Sequence, residues 1–404
     1  MTLSVFNPRL LNFLSAIAQL DGPRSPVDIS RTLKLEDGSK VSSRTINRWF
    51  KYLNEPFVYK NYRTERKMSY FPHFFKNRLG FNIVTVFYDN PSKSLLGLFP
   101  MRSLSIYLYD THSDRSVLAI EYVIPRGHHR EFLSLLPRIV EDGYCSRARP
   151  LTTGSTYRMT SPWHKVVDRN GVFHAESNDE HDIETEVEKL RRHLLLNEPL
   201  KVEMSPHIGR NPFVIPVLAE YMFESRSSIQ VWKAIRTKLG ERTRDYAHGE
   251  HVQDSMGIKM VQHTLKTLTS LDIFNQMRLV YFPLEIVNNV AVWTIADFKD
   301  CQHLLKTAES VLAHSLWVNV YPITDRKALF GYLTSGENLG NLFHIFEDAH
   351  IERQFVCDMQ RSADIIYTTR YSIFDYPRIF NPQTCSWRYD QNDLLSDLEA
   401  HSTK

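Results

Sequence analysis

The sequence predicts an α+β chain of two winged helix-turn-helix domains, each followed by a ferredoxin-like β-α-β-β-α-β domain. Three observations carry that expectation. A helix-period apolar stripe in residues 41–55 follows two shorter helical stretches and precedes a basic strand-turn-strand segment. From Gly80 the pattern changes to strands interrupted by helices, and the same order of elements returns after residue 209.

Residues 8–20, PRLLNFLSAIAQL, read as a first helix stopped by Asp21-Gly22-Pro23. Ser25-Pro26 opens a second, SPVDISRTLKL, with proline early, where its missing N–H costs nothing. The third helix, VSSRTINRWFKYLNE, places Ile46, Trp49, Phe50 and Leu53 on one stripe, and Ser42 or Ser43 can cap its start. Its opposite face carries Ser43, Arg44, Asn47, Arg48 and Lys51, side chains of the types that read base edges and hold phosphates. The stretch 56–72 then reads as a wing with Lys60, Arg63, Arg66 and Lys67 interleaved with Tyr59 and Tyr62.

GFNIVTVFYD, RSLSIYLYDT, RSVLAIEYVIP and YCSRARPL read as four strands, with a short helix in PSKSLLGLFP and a longer one in HHREFLSLLPRIVEDG. That order is the ferredoxin-like unit. A tail, STYRMTSPWHKVVDRNGVFH, follows, and ESNDEHDIETEVEKLRRHLLL reads as a linker entering a connecting helix with Glu188 and Arg192 at a supportive spacing.

In the second half NPFVIPVLAEYMF and SSIQVWKAIRTKLG repeat the first two helices, and IKMVQHTLKTLTSLDIF the third, with Lys259, Gln262, His263 and Lys266 facing outward. NQMRLVYFPLE stands where a stunted wing would. NVAVWTIADF, SLWVNVYPIT, RKALFGYLTS and RQFVCDM repeat the strands, with helices in DCQHLLKTAESVLAHS and ENLGNLFHIFEDAHI and a tail containing TTRYSIFDYPRIF. The boundaries that follow are 1–76 for the first winged helix-turn-helix DNA-binding domain, 77–172 for the first ferredoxin-like domain and its tail, 173–208 for the linker and connecting helix, 209–285 for the second winged-helix-like domain, and 286–404 for the second ferredoxin-like domain and its tail.

Charge points the same way. Residues 1–80 hold 14 Lys and Arg against six acids, a net of +8 in a chain whose total is +3. A basic end on a mildly acidic body suits a module that meets a polyanion. The four cysteines are far apart and form no CxxC pair, so neither a zinc ribbon nor a disulfide framework is expected. No long apolar run and no leader pattern is present, so an intracellular, cytoplasmic protein without membrane association is expected. His248 and His251 have a metal-compatible spacing without a third ligand nearby, and no metal or cofactor is expected. No phosphate-binding glycine loop, nucleophile elbow or HExxH occurs, so catalysis has no named residues and a non-enzyme is expected. The strands lack the aromatic signature of an RNA-recognition fold, which puts double-stranded DNA ahead of RNA.

SPVDISRTLKL with VSSRTINRWFKYLNE, and the strand-helix pair SVLAIEYVIPRGHHREFLSLLPRI, resemble the Lrp/AsnC family of bacterial and archaeal transcription regulators in a tandem, archaeal-like form. The resemblance implies a transcription regulator that binds double-stranded DNA, pairs its sheets in a homodimer or an intramolecular pseudo-dimer, and can take a small-molecule effector. YDTHSDRSVLAIEY lacks the family's Gly-Asp turn, which weakens the effector expectation. The alternative is an interaction scaffold whose winged helices dock proteins.

Overall fold

The computed structural model describes residues 5–18, 26–35, 38–59, 62–64, 66–74, 79–97, 102–175, 180–196, 211–222, 227–246, 252–271, 274–287, 289–357 and 376–402. It is a mixed α/β chain built on one large antiparallel sheet.

α1 (Pro8–Ala18), α2 (Pro26–Thr32) and α3 (Ser43–Leu53) form an N-terminal bundle. Asn7 starts α1 by accepting from the amides of Arg9 and Leu10. Ser42, extended and just outside α3, accepts from the Thr45 amide and so satisfies one of the helix's unpaired donors. The stripe Ile46, Trp49 and Leu53 is buried, and the Phe13 ring of α1 lies 4.7 Å from that of Trp49.

A small hairpin of β1 (Phe57–Tyr59) and β2 (Tyr62–Thr64) follows. The next strand leaves it. β3 (Met68–Phe74) pairs antiparallel with β9 (Phe274–Tyr281) of the second half, Met68 opposite Tyr281. The two segments expected as separate wings are thus hydrogen-bonded to each other.

In the first half β4 (Phe81–Asp89), β5 (Arg102–Asp110), β6 (Arg115–Pro125) and β7 (Arg147–Thr153) lie in the order β7-β4-β6-β5. In the second, β10 (Asn289–Asp297), β11 (Trp317–Pro322), β12 (Lys327–Ser335) and β13 (His350–Cys357) lie in the matching order β13-β10-β12-β11. β5 and β13 pair edge to edge, and β8 (Tyr157–Thr160) extends the far edge beside β11, which joins nine strands in one sheet. The sheet curls. β4 and β13 are three ladders apart, about 14 Å if flat, yet the rings of Phe87 and Phe355 stack with centroids 5.1 Å apart.

Helices cover the outer face, and each half lends an arm to the other. α6 (Glu180–Leu196) sets Ile183, Val187 and Leu190 into a core with Leu304, Leu305 and Val311 of α12 (Cys301–Ala313) and Leu342 of α13 (Leu339–Ile345). In return α15 (Gln391–Ser402) sets Leu394, Leu395 and Leu398 into the core of the first half, with Val84, Val86, Tyr88 and α4 (His129–Glu141). It packs on the single 3-10 turn Lys93–Gly97, which is too short to cover the strands beneath it.

The inner face carries the helical bundles, also crossed over. The N-terminal bundle shares its core with Trp163 and Val166 of α5 (Trp163–Val166), Leu284 of α11 (Phe282–Ile286), and Trp293, Trp317 and Tyr321 of the second half. The second bundle, α7 (Val214–Met222), α8 (Ser228–Leu239), α9 (Thr243–Tyr246) and α10 (Asp254–Ser270), packs with Leu79, Phe81 and Val123 of the first half and with α14 (Tyr376–Ile379). The small ribbon β14 (Phe380–Asn381) with β15 (Ser386–Trp387) links α14 to α15.

Where the halves meet, Asp110 is fully buried. Its Oδ1 accepts from the amides of His112 and Ser113, and its Oδ2 lies 3.2 Å from Arg353 and 3.9 Å from Arg149, which also meets Asp89. Burial alone would raise this carboxyl, but the bonds from His112 and Ser113 and the Arg353 charge outweigh it and hold it below the usual range. A depressed carboxyl contributes stability that is present above its unfolded value, about 3.9, and is lost as pH falls through the folded value. Asp110→Asn should therefore cost about 1.5–3 kcal/mol at pH 7 and less at pH 3, below the unfolded value. Urea unfolding at the two pH values measures the difference; an equal loss at both would contradict the seam's ionic character.

Candidate functional site

The face expected to read DNA is assembled on α3. Arg44, Asn47, Arg48 and Lys51 are exposed and Ser43 is half-buried at the helix start. On the second bundle Lys259, Gln262, His263 and Lys266 are exposed on α10, while Val261, Thr264 and Leu268 are buried. The wing set is divided. Arg63 is exposed and Arg66 half-buried, and Lys60 lies outside the described residues. Lys67 is buried; its ammonium donates to the Tyr52 carbonyl and to Glu55, and lies 4.0 Å from the centre of the Tyr52 ring. It ties α3 to β3 and is not a phosphate contact. His128 and His129 are half-buried: His128 stacks on Tyr389 and pairs with Glu131, and His129 bonds Thr152. Burial lowers the pKa of His129. His248 and His251 lie outside the described residues, among which no group of three metal-ligating side chains occurs. No helix among the described residues is long and apolar enough to cross a membrane.

Polar side chains converge elsewhere, in a cleft of about 240 Å³ between the N-terminal bundle and the arm of the first half. Asn12 and Ser15 of α1 and Lys34 form one wall; Thr160 and Ser161, at the end of β8, form the floor; His164 and Lys165 of α5 and Asp182, Thr185 and Glu186 of α6 complete it. Local sequence explains the convergence. Ser161-Pro162 ends β8 and turns the chain into the one-turn helix α5, held because Ser161 donates to the carbonyl of Ser315 at 2.7 Å. Asp182 and Glu186 are four residues apart on α6 and so share a side. Lys165 pairs with Asp182 at 2.9 Å, and buried Glu186 accepts from Lys189 at 2.8 Å and from the Thr160 amide at 3.4 Å. Lys34 makes no ion pair among the described residues. One imidazole, two ammonium groups and two carboxylates thus border one small space, enough to bind a charged molecule and to pass it a proton. Sequence reasoning missed this site because its residues come from four separate segments and none forms a motif.

Behind the cleft, on the inner face, Arg158 of β8 is buried over the Trp317 ring at 4.1 Å. It donates to Asn319 at 2.9 Å and to the Leu279 carbonyl, and Glu285, which also accepts from Trp317, lies 3.8 Å away. This network fixes the arm that carries the cleft floor. Because removing one partner strands a buried charge, Arg158→Ala should cost about 3–5 kcal/mol, read from denaturant midpoints, and adding Glu285→Gln should recover part of the loss. A loss below about 1 kcal/mol, the range of exposed pairs, would show that the arm is held by packing alone.

No family model and no curated protein matches the chain. Two solved structures are similar in arrangement. The crystal structure of the siroheme decarboxylase NirDL matches at 11% identity over 97% of this chain and 100% of that one, with a TM-score of 0.46. The structure of siroheme decarboxylase NirDL in complex with an iron-uroporphyrin III analogue matches at 10% identity over 87% and 90%, with a TM-score of 0.44. These likenesses correct the expectations drawn from the sequence: the similar structures are of an enzyme and not of an Lrp/AsnC-type regulator. The assignment as a DNA-binding transcription regulator, the partner double-stranded DNA, the docking scaffold and the non-enzyme expectation are withdrawn with it. Burial of Lys67 and the pairing of β3 with β9 supply a physical reason, since the expected wing is built into the fold.

Proposed function

We propose that the chain binds a small charged molecule in the cleft between α1 and α6 and acts on it by proton transfer. The observation that carries this reading is the convergence of Lys34, His164, Lys165, Asp182 and Glu186 around one space of about 240 Å³. A concave site with a few converging titratable groups is the arrangement expected of a ligand site. The space is smaller than the roughly 300–1,000 Å³ of pockets that take drug-sized ligands, so the ligand is small. Lys34 is the cation left to meet an anionic group, and the imidazole of His164 is the ring that can give or take a proton beside it. A tetrapyrrole, the kind of compound named for the similar structures, needs far more room than this cleft offers and would have to bind elsewhere.

We also propose that the two halves are tandem copies of a winged helix and a ferredoxin-like unit, bounded near residues 76, 172, 208 and 285. The matching strand orders β7-β4-β6-β5 and β13-β10-β12-β11 support that reading.

A thermal-shift screen of small carboxylates, phosphates and amines, with iron-uroporphyrin III as a separate probe, tests the cleft. A ligand at a hundred times its Kd stabilises by about 2.7 kcal/mol, enough for a shift of several degrees. The shift should vanish in Lys34→Gln and in Glu186→Gln and persist in Lys40→Gln. Hits that survive both cleft substitutions, or a response to iron-uroporphyrin III alone, would refute the cleft as the site.

A further inference from the structure

The two bundles provide an internal comparison at matching positions. Asn7-Pro8 stands at the start of α1 and Asn211-Pro212 just before α7, and each asparagine side chain accepts from the amide two residues on. Counted from these two asparagines without a gap, Ala16 of α1 falls at Glu220 of α7, Lys34 at Lys238, and the buried Leu35 at the buried Leu239. The arms agree. α5 packs on α1 as α14 packs on α7, and the pair Lys165–Asp182 at 2.9 Å has its counterpart in Arg378–Asp393 at 3.9 Å.

The place between bundle and arm is filled differently in the two halves. In the second, Glu220 is buried and its carboxylate lies 2.6 Å from the Lys238 ammonium, which also faces the Tyr376 ring at 5.5 Å. A carboxylate of the chain itself meets the lysine there. In the first, Ala16 stands at the position of Glu220 and shares one side of α1 with Asn12 and Ser15, all three lining the cleft of about 240 Å³. Lys34 borders the same space, is exposed, and makes no ion pair among the described residues. The carboxylates of Asp182 and Glu186 across the cleft are engaged with Lys165 and Lys189. The first half thus keeps the cation, lacks the anion that meets it in the second, and leaves open space beside the alanine.

We propose that the cleft takes a small monocarboxylate, whose carboxylate pairs with Lys34 in the place that the Glu220 side chain fills on α7. The proposal rests on the cleft being a ligand site and narrows the class of its ligand. An ammonium donating to a carboxylate is a charge-assisted bond, stronger than one between neutral groups. One anionic group is favoured over two, because a second would approach Asp182 and Glu186, and like charges in one site oppose each other. The other end of the ligand, neutral or cationic, then lies toward α6.

The probe is 3,3,3-trifluoropropionate, titrated into the full chain and followed by fluorine NMR, with succinate, inorganic phosphate and ethylamine as competitors. The expected result is one saturable equivalent per chain, about tenfold weaker in Lys34→Gln, where a charge-assisted bond becomes a neutral one. Binding should be absent in Ala16→Glu, which copies the second half by giving Lys34 a carboxylate from the chain itself. Cooperative unfolding checks that this variant folds, and Lys34→Gln decides the matter if it does not. Succinate and phosphate should compete less well than propionate. Binding that Glu186→Gln removes but Ala16→Glu and Lys34→Gln leave unchanged would keep the cleft as a ligand site and overturn the place assigned to the carboxylate. So would tighter binding of succinate, phosphate or ethylamine in the cleft. No saturable binding of any of the four would remove the cleft reading and this one together.

Discussion

The pairing of β5 with β13 is the contact on which the rest of the molecule depends. It covers an open edge on each half, and unpaired sheet edges are liabilities that a fold has to cover. The curl of the joined sheet then creates an inner face, where Phe87 meets Phe355 and where both helical bundles find apolar floors. Asp110 sits at this join and orders the turn after β5 while facing Arg353 from the other half. Because its carboxyl is buried and gathers two amides and two guanidinium groups, the join has a defined register as well as apolar area.

Exchange of arms follows from incomplete halves. Among the described residues the first has a 3-10 turn where a helix would cover β4 and β5, and α15 supplies that cover. The second receives β8 and α6. The cleft is a by-product of this exchange. α6 leaves the first half to lie on α12, and its first turns pass close to α1 and to the end of β8, so the side chains of a helix, a strand end and a bundle face one space. Asp182, Thr185 and Glu186 stand on a helix, a better footing than a loop for orienting a small ligand.

Much of the local structure was readable from residue patterns. The 3.6-residue stripe of Ile46, Trp49 and Leu53 identifies α3, with Ser42 or Ser43 as its cap, of which the structure uses Ser42, and the strand-like runs of both halves locate β4 to β7 and β10 to β13. Partnership was not readable. Alternation tells which side of a strand is apolar and says nothing of the strand beside it, so MSYFP read as part of a wing when it pairs with a segment some two hundred residues away. Lys67 looked like one more exposed cation because its sequence neighbours are cations; its burial depends on Tyr52 and Glu55, which the turn of α3 brings beneath it. The cleft left no trace in the sequence, since Lys34, His164 and Glu186 share no spacing rule and meet only after the arm has crossed over.

The packing of α15 on the first half has a consequence for how the protein is made. Strands β4 to β7 leave the ribosome well before residues 391–402 exist, yet their outer core is finished only by Leu394, Leu395 and Leu398. Nascent chains ordinarily complete domains in order from the N-terminus; here an early domain has to wait, with Val84, Val86 and Tyr88 only partly covered by α4, until residues 391–402 have been made. The helix that closes the outer core of β4 to β7 is thus made after every strand of the large sheet.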